Sequence, residues 1–196
     1  MIKYGERKRR NHYPWQRRHG LCNPSEIIAE AAYLSGNFVD VHAYPSFGAE
    51  RRGAPVQAYV KLSRDETIWD RAQIEHPNIL IVFDETVLTQ DIASSLKKGG
   101  IFVINSDKDP NYFVEKFHLS GVKLVVADIS KLALEKDLTI DGMPVINTPI
   151  LGLLSKALPN LSLENLKKVI TRRMEEKLAK QNIELISEGY KLAKIL

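Results

Sequence analysis

Three short apolar runs in the middle of the chain constrain its fold more than any other feature. They occupy residues 79–83, 101–104 and 122–127, and each is apolar at nearly every position. Such runs predict strands that are buried on both faces of a sheet. Helical patterns at residues 87–98 and 109–118 separate them. The order strand, helix, strand, helix, strand predicts parallel βαβ units with right-handed crossovers.

A polar residue follows each of these runs, at the point where the strand should end. Asp84, Asn105 and Asp128 hold these positions. Ligands of open α/β sheets bind outside the carboxyl ends of parallel strands, so the three side chains are candidates for a ligand site. Asp and Asn also cap helices and start turns routinely, which is the structural alternative. Their spacing indicates no pair of nucleophile and base.

The first half of the chain adds a helix and an antiparallel extension. Residues 24–35 carry apolar side chains at helical spacing. Residues 38–43 and 56–62 are rich in aromatic and β-branched side chains, which predicts two strands. Residues 63–66 then predict a hairpin turn, with a short returning strand at 67–71. Part of the sheet should therefore be antiparallel.

The last third of the chain is mainly helical. Asn147 and Thr148 precede a proline and predict a polar cap for an almost wholly apolar helix at 150–158. Amides at a helix start can bind an anion, and a satisfied cap is the alternative. Amphipathic segments follow at 163–178 and 181–195. The sequence predicts an α/β fold, doubly wound, with a mostly parallel mixed sheet, an antiparallel hairpin extension and C-terminal helices.

A turn-forming stretch with three consecutive charges joins the predicted strands at 38–43 and 56–62. Its glycines can adopt positive φ without penalty, and its adjacent arginines present planar, permanently charged donors that suit carboxylates or phosphates. A solvated turn or a salt bridge to a neighbouring acid is the alternative. The candidate residues of this loop are Gly48, Glu50, Arg51, Arg52, Gly53 and Pro55.

Composition excludes several classes of protein. No apolar run approaches the roughly 20 residues that span a bilayer, and the N-terminus lacks the apolar segment of a secretory signal. The single cysteine, Cys22, excludes an internal disulfide and a CxxC motif, and the five histidines lie far apart in the sequence. We therefore expect a cytoplasmic protein without membrane contact, metal, iron–sulfur cluster or catalytic residues of its own. The many charged residues are typical of thermophilic proteins.

Basic residues are concentrated at the N-terminus. Residues 1–20 hold seven Lys and Arg against one Glu, whereas the remainder holds 21 basic and 23 acidic residues. We interpret residues 1–23 as a basic leader that is disordered or the product of a frame shift, and residues 24–196 as a single domain. A nucleic-acid-binding domain is disfavoured, because its basic residues should decorate a folded face. An RNA or membrane-surface tether and a solvated tail remain open for the leader.

Four motifs occur along the chain in a characteristic order. Residues 26–32 read EIIAEAA, residues 47–55 read FGAERRGAP, residues 76–84 read HPNILIVFD and residues 147–152 read NTPILG. Together they resemble the gamma subunit of pyruvate:ferredoxin and related 2-oxoacid:ferredoxin oxidoreductases, and the resemblance covers residues 25–196. The ERRGAP stretch is more similar to the pyruvate or ketoisovalerate type than to the 2-oxoglutarate type.

The resemblance implies a role inside an enzyme complex. Enzymes of this family convert a 2-oxoacid and coenzyme A to acyl-CoA and carbon dioxide, and they pass two electrons to ferredoxin. Other subunits hold thiamine diphosphate with Mg²⁺ and the 4Fe–4S clusters, so no cofactor is implied for this chain. The implied partners are the alpha, beta and delta subunits, and ferredoxin through the complex.

The implied site residues of this chain lie at a subunit interface or near coenzyme A. They are the candidates of the arginine-bearing loop together with Asn147 and Thr148. Arg51 and Arg52 could pair with a partner's carboxylates, which suits the enrichment of arginine at interfaces, or screen the phosphates of coenzyme A. The sequence leaves both roles open.

The leader departs from the family. There the family has a first β-strand and then a glycine-rich turn of the type GRGGQG, whereas residues 15–20 read WQRRHG. Codons allowed for these six residues, read one nucleotide downstream, can spell GRGGMG, and residues 21–24 can continue as FVTP. We therefore hypothesise that a shifted reading frame, in the gene or in its record, produced the leader. If the written residues are native, the glycine-rich turn and its phosphate-cradling role are absent.

Two other classes of function compete with the complex subunit. A stand-alone nucleotide-binding or regulatory α/β domain is one, because the family's glycine-rich turn suggests it. An RNA-binding protein with a basic arm is the other, and it requires salt-sensitive RNA affinity that is lost on deleting residues 1–23. The lack of a self-contained catalytic constellation in the sequence favours a subunit whose chemistry lies elsewhere.

Overall fold

The computed structural model describes residues 2–7, 23–46, 55–140 and 142–196, and its centre is a mixed β-sheet. A separate two-stranded hairpin accompanies this sheet. The strands are β1 (Ile2–Arg7), β2 (Asp40–Pro45), β3 (Pro55–Ser63), β4 (Ile79–Val82), β5 (Ile101–Asn105), β6 (Lys123–Ala127), β7 (Thr139–Ile140), β8 (Met143–Pro144) and β9 (Lys194–Ile195).

The main sheet has the strand order β2-β3-β1-β4-β5-β6-β9. Strands β1, β4, β5 and β6 pair in parallel with one another. Strand β3 is antiparallel to both β1 and β2, so β2 points in the same direction as β1. Strand β9 is antiparallel to β6, and β7 and β8 form the separate hairpin. The mostly parallel mixed sheet with an antiparallel extension confirms the predicted fold class.

Helices cover both faces of the sheet. Polar caps fix several of their starts: the Asn23 side chain, for example, accepts a hydrogen bond from the Ser25 amide at 3.1 Å, just before the proline that opens the first helix. The helices are α1 (Pro24–Leu34), α2 (Gln90–Ser94), α3 (Pro110–Phe117), α4 (Ile129–Glu135), α5 (Ile150–Ala157), α6 (Leu163–Arg173) and α7 (Glu176–Leu192).

The alternation of strand side chains divides the apolar core into two layers. Ile81 and Val103 belong to a layer that also contains side chains of α1, α4, α5, α6 and α7. Their neighbours Val82 and Ile104 belong to a second layer, formed with α2 and α3. All four side chains are at most 1% exposed. The continuous apolar runs are therefore buried on both faces, as the sequence predicts.

The leader is the largest departure from the sequence-based prediction. Residues Ile2–Arg7 form β1, which lies inside the sheet between β3 and β4, and Ile2 is opposite Ile79. The interpretation of residues 1–23 as disordered is therefore wrong for this strand. Its place depends on backbone pairing with two neighbours that are distant in sequence, which local composition does not reveal. Residues 8–22 lie outside the described part, so both interpretations of them stay predictions.

The segment between β3 and β4, residues 64–78, contains neither helix nor strand and is called the strap below. The returning strand predicted at 67–71 is therefore wrong. The Ile68 amide donates to the Asp40 carboxylate at 2.7 Å. In a strand, this amide would instead donate to a backbone carbonyl of the neighbouring strand. The antiparallel part of the sheet comes from β2, β3 and β9 instead.

Two predicted helices are shorter than the sequence suggests. The helix expected at 87–98 is divided, because a 3-10 turn at Glu85–Val87 precedes α2 and the Thr89 side chain caps α2 by accepting from an amide at 3.3 Å. The helix expected at 163–178 is divided by Met174, which is extended and 8% exposed. Burial of this side chain in the core accompanies the break between α6 and α7.

Two glycines allow α5 and α7 to pack in close contact. A Cβ atom on Gly152 of α5 would lie 2.2 Å from the Ile186 carbonyl oxygen of α7. A Cβ atom on Gly189 would lie 2.7 Å from the Pro149 carbonyl oxygen. The backbones therefore meet at a distance that only glycine permits.

Candidate functional site

The carboxyl ends of five strands meet at one edge of the sheet, here called the carboxyl edge. Strands β1, β2, β4, β5 and β6 end there because they point in the same direction. Strand β3 runs the opposite way and begins there, with Pro55 opposite Arg7. In open α/β sheets, ligands bind outside this edge.

The arginine-bearing loop connects to this edge by both of its ends. The loop spans residues 47–54, between the end of β2 at Pro45 and the start of β3 at Pro55. Five candidate residues lie inside the loop and therefore outside the described residues, so their roles stay predictions; they are Gly48, Glu50, Arg51, Arg52 and Gly53. The sixth, Pro55, is the first residue of β3.

The start of α5 lies near the same edge. The Lys123 ammonium, at the beginning of β6, donates to the Ala157 carbonyl at 3.0 Å, so α5 runs antiparallel to β6. The opposite end of α5, with Asn147 and Thr148 before it, therefore lies towards the carboxyl edge. Thr148 is only 2% exposed, whereas Asn147 is half-buried.

The polar cap predicted for α5 is wrong. Pro149 itself is the cap residue, and no side-chain hydrogen bond caps the helix. Asn147 and Thr148 form a turn instead, in which the Leu151 amide donates to the Thr148 carbonyl at 3.0 Å and the Ile150 amide donates to a carbonyl four residues earlier. Backbone carbonyls therefore accept from the first amides of α5, where the sequence predicts a side chain as the acceptor.

Asn105, at the end of β5, ties three elements together. Its amide nitrogen donates to the Phe83 carbonyl and to the Ser130 hydroxyl, both at 2.9 Å. Its side-chain oxygen accepts from the amides of Ile129 at 2.8 Å and Ser130 at 3.2 Å. The side chain is only 8% exposed. Asn105 therefore fixes the position of α4 relative to β4 and β5.

The two aspartates at this edge act as caps. The Asp84 carboxylate accepts from the Thr86 amide at 2.9 Å, and the Asp128 carboxylate accepts from the Lys131 amide at 2.8 Å. The structural alternative given for these residues is therefore confirmed. The structure brings Asp84, Asn105 and Asp128 to one edge without joining them into a single cluster of contacts.

A polar group that the sequence did not single out lies beside Asn105. The Glu85 carboxylate accepts a short hydrogen bond from the Ser106 hydroxyl and forms an ion pair with Lys108. Burial opposes the charged carboxylate, but the bonds from Lys108 and Ser106 outweigh it and lower the pKa of Glu85. The Lys108 ammonium also lies 4.6 Å from the centre of the Tyr112 ring. The group is an internal link between β4 and β5.

A second group missed by the sequence lies on the face of β3 that points away from α1. Lys61 is 9% exposed and forms an ion pair with Asp70 of the strap. Burial alone would lower the pKa of Lys61, but Asp70 and Tyr44 outweigh it and raise that pKa. The hydrogen bond from Lys61 lowers the pKa of Asp70. The position of Lys61 within the alternating pattern of a strand could have indicated a buried charge. The sequence does not show that Asp70 is its partner.

The strap and the arginine-bearing loop are connected. The Tyr44 hydroxyl, two residues before the loop's anchor at Ser46, donates to the Ala72 carbonyl of the strap at 2.7 Å. The Ser46 amide donates to the Gln57 carbonyl of β3 at 2.9 Å, and the Gln73 side chain reaches the Ser46 hydroxyl at 3.5 Å. The strap is therefore bonded to the last described residues before the loop.

The described residues contain neither a metal-binding cluster nor a membrane-spanning helix. Across residues 23–46, 55–140 and 142–196, no three His, Cys, Asp or Glu side chains come close enough to hold a metal ion. No helix in the described part of the chain is long and apolar enough to cross a membrane.

Comparison with known proteins agrees with the fold and with the motifs. A family profile described as pyruvate ferredoxin/flavodoxin oxidoreductase matches residues 19–192. The pyruvate/ketoisovalerate oxidoreductases common subunit gamma of Thermococcus litoralis is 36% identical over 172 residues, which is 87% of this chain and 89% of that relative. Pyruvate synthase subunit PorC of Thermotoga maritima is 34% identical over 165 residues, 84% and 82% of the two chains.

A solved structure extends the comparison to three dimensions. The crystal structure of pyruvate oxidoreductase subunit PORC from Thermotoga maritima aligns with a TM-score of 0.76 at 28% identity, over 99% of this chain and 96% of that chain. These matches do not favour the alternative of a stand-alone nucleotide-binding or regulatory domain. The chain belongs to the pyruvate ferredoxin/flavodoxin oxidoreductase family, as a subunit of the gamma type.

Proposed function

We propose that this chain is the gamma subunit of a cytoplasmic, multi-subunit 2-oxoacid:ferredoxin oxidoreductase whose substrate is pyruvate. The complex converts the 2-oxoacid, coenzyme A and oxidised ferredoxin to acyl-CoA, carbon dioxide and reduced ferredoxin. In this proposal alpha, beta and delta subunits carry thiamine diphosphate, Mg²⁺ and the 4Fe–4S clusters. The gamma subunit supports their assembly and contacts neither nucleic acid nor membrane.

One observation carries the proposal. The chain matches a relative named as a common gamma subunit over 89% of that relative's length, at 36% identity. A match of this extent supports a shared role as a subunit rather than the reuse of a common fold for another purpose. The residues proposed to lie at the interface or near coenzyme A are Gly48, Glu50, Arg51, Arg52, Gly53, Pro55, Asn147 and Thr148.

Within the complex, we assign the arginine-bearing loop to a subunit interface. Its flanking residues are held by the strap and by β3, through the Tyr44 hydroxyl and the Ser46 amide. The ends of the loop are therefore fixed at the carboxyl edge of the sheet, where ligands of open α/β sheets bind. Arg51 and Arg52 supply planar donors for a partner's carboxylates. The phosphates of coenzyme A are the other anions that these side chains suit.

Replacing Arg52 separates the two roles. In the complex, Arg52→Ala is expected to weaken co-purification of the other subunits while the Michaelis constant for coenzyme A, measured on the complex that does assemble, stays unchanged. Arg172→Ala, on the exposed side of α6, is the matched control and should change neither quantity. Normal assembly with a raised Michaelis constant would instead assign Arg52 to coenzyme A.

Native purification tests the subunit proposal itself. The chain should co-purify with thiamine-enzyme and ferredoxin-like subunits, and the purified complex should reduce ferredoxin when given pyruvate and coenzyme A. Comparison of pyruvate with branched-chain 2-oxoacids and 2-oxoglutarate would define the substrate. A purified monomer that oxidised a 2-oxoacid without other subunits would contradict the proposal.

The leader is proposed to be a frame-shift product between β1 and α1. The family match begins at residue 19, whereas β1 at Ile2–Arg7 occupies the position of a first strand before a glycine-rich turn. The connection between β1 and α1, which reads WQRRHG at 15–20, lacks the glycine-rich turn of the family. Resequencing the gene or mapping peptides of the native protein should give a GRGGMG-like sequence. Recovery of the written peptide from native protein would refute the frame shift.

A further inference from the structure

An exposed tryptophan stands out on the surface of the strap. Trp69 is 91% exposed, although tryptophan is among the most apolar and bulky of side chains. The strap carries this residue on the outer side of the β2–β3 extension, opposite the face that packs on α1. Tryptophan is enriched among the few residues that dominate the free energy of protein interfaces.

Both neighbours of Trp69 are fixed to the sheet. The Ile68 amide donates to the Asp40 carboxylate of β2 at 2.7 Å. On the other side, the Asp70 carboxylate forms an ion pair with the Lys61 ammonium of β3. The residue on each side of Trp69, Ile68 through its backbone and Asp70 through its side chain, is therefore bonded to a different strand.

Further along, the strap has one internal hydrogen bond and two more anchors to the sheet. The Ala72 amide donates to the Asp70 carboxylate at 2.8 Å, and the Ala72 carbonyl accepts from the Tyr44 hydroxyl at 2.7 Å. Ile74 is 2% exposed and packs in a small cluster with Tyr44 and Tyr59. Inward contacts at residues 68, 70, 72 and 74 leave Trp69 projecting from a segment that is held in place.

We infer that Trp69 is an anchor residue that inserts into an apolar pocket on another subunit of the oxidoreductase, an inference that rests on the proposed function. A side chain presented on a fixed backbone loses little entropy on binding, so its burial is converted efficiently into affinity. The strap is also bonded to Tyr44 and Ser46, the described residues that precede the arginine-bearing loop.

Charge argues that the pocket belongs to a different polypeptide rather than to a second copy of this chain. Residues 64–78 contain four carboxylates and two arginines, a net charge of −2, and the ion pair of Lys61 with Asp70 offsets one of these negative charges. A two-fold contact between identical surfaces would bring this negative region against itself, which costs free energy. The expected partner surface is an apolar pocket bordered by lysine or arginine side chains.

Substitution of Trp69 in the co-expressed complex tests the inference. Trp69→Ala is expected to weaken binding of this chain to the other subunits by about 30-fold, the effect typical of a tryptophan at the centre of an interface. Trp69→Phe should lose less, because an aromatic ring remains. Because Trp69 is exposed, neither change should alter the thermal unfolding of the isolated chain.

A matched control is available in Tyr33, an aromatic residue of α1 that is 61% exposed and lies outside the strap. Tyr33→Ala should leave binding unchanged. A second variant, Asp70→Asn, keeps Trp69 but removes the carboxylate that pairs with Lys61. It should weaken binding by a smaller factor, since the tryptophan is retained on a looser backbone.

Hydroxyl-radical footprinting with peptide mass spectrometry gives a direct readout in the wild-type complex. Oxidation of Trp69 should fall by about tenfold between the isolated chain and the complex, as expected when an exposed anchor is buried. Equal oxidation in both samples, or equal binding by the Trp69→Ala and wild-type chains, would overturn the anchor. A loss as large in Tyr33→Ala would also overturn it, since the effect would not be specific.

Failure of the anchor can be distinguished from failure of the proposed function. If the isolated chain forms a dimer that Trp69→Ala disrupts, Trp69 binds a second copy of this chain and the inference is wrong. If the wild-type chain binds no other subunit at all, the proposed function fails and the anchor fails with it. Wild-type assembly with unaffected Trp69→Ala assembly would refute the anchor alone.

Discussion

The two halves of the sheet use their polar side chains in opposite ways. In the parallel half, Asn105 is buried and makes four hydrogen bonds that join β4, β5 and α4. In the antiparallel extension, Lys61, Asp70 and Tyr44 hold a strap whose outer residues are exposed. The polar side chain of the parallel half joins elements inside the protein. Those of the antiparallel extension hold a segment that is exposed on the surface.

The position of each half in the sheet explains the difference. Strands β4, β5 and β6 have helices on both faces, so any polar group between them must find partners inside the protein. On the face of β3 that carries Lys61, the strap packs through Ile74 against Tyr44 and Tyr59. We therefore expect Asn105 and its partners to control the stability of the fold. We expect Lys61, Asp70 and the strap to control binding to other subunits.

The largest expected effect is at Asn105. Asn105→Ala should lower the free energy of unfolding by about 3 kcal/mol, because it leaves buried amides and a carbonyl without their partner. Chemical denaturation of the purified chain measures this loss. Asn111→Ala is the control, since this exposed side chain bonds only to Asp109 in the contacts described, and it should change stability by less than about 1 kcal/mol. Equal losses in both variants would remove the distinction between buried and surface networks.

A smaller effect is expected at Tyr44. Tyr44→Phe removes the hydroxyl that donates to the Ala72 carbonyl and should cost about 1 kcal/mol, the usual net contribution of one hydrogen bond. Amide hydrogen exchange should increase in strap peptides more than in peptides of β5. Tyr33→Phe, at an exposed tyrosine, should have no effect. Uniform loss of protection across the sheet would show that the strap is part of the same cooperative unit as the parallel half.

The smallest effect is expected from acid. The folded-state pKa of Asp70 is lowered from its ordinary value of 3.8, mainly by the hydrogen bond from Lys61. Its contribution is therefore present above pH 3.8 and is lost as the pH falls through the lowered folded-state pKa. The raised pKa of Lys61 means that the pair persists on the alkaline side until the pH exceeds 10.5.

Hydrogen exchange of the strap tests this pH dependence. After correction for intrinsic exchange rates, protection of the strap should be constant at neutral pH and fall in strong acid. In Asp70→Asn the protection should already be low at neutral pH, because no ion pair with Lys61 exists. A wild-type profile identical to that of the variant would show that the pair does not hold the strap.

Much of the fold could be predicted because its signals are local. The apolar runs that became β4, β5 and β6 are buried on both faces, and each is followed by a helix or a tight turn. Asp84 and Asp128 proved to be caps, which the sequence gave as one of two alternatives. These features depend on residues that are close together in the chain, so pattern and propensity suffice to find them.

The parts that could not be predicted depend on distant contacts. Strand β1 lies in a basic segment and is defined by pairing with β3 and β4. The sequence predicts a short strand at 67–71, but the Ile68 amide and the Asp70 carboxylate bond instead to side chains of β2 and β3. The ion pair of Lys61 joins residues nine positions apart across a turn, a distance at which no periodic pattern indicates a contact.

The central place of β1 has a consequence for how the protein is made. Ile2–Arg7 leaves the ribosome before either of its neighbours, yet it pairs with both β3 and β4. The sheet cannot close around it until translation has passed Val82, the last residue of β4. During that interval the nascent strand has unpaired backbone groups, which is the period in which a chaperone would protect it from pairing with other chains.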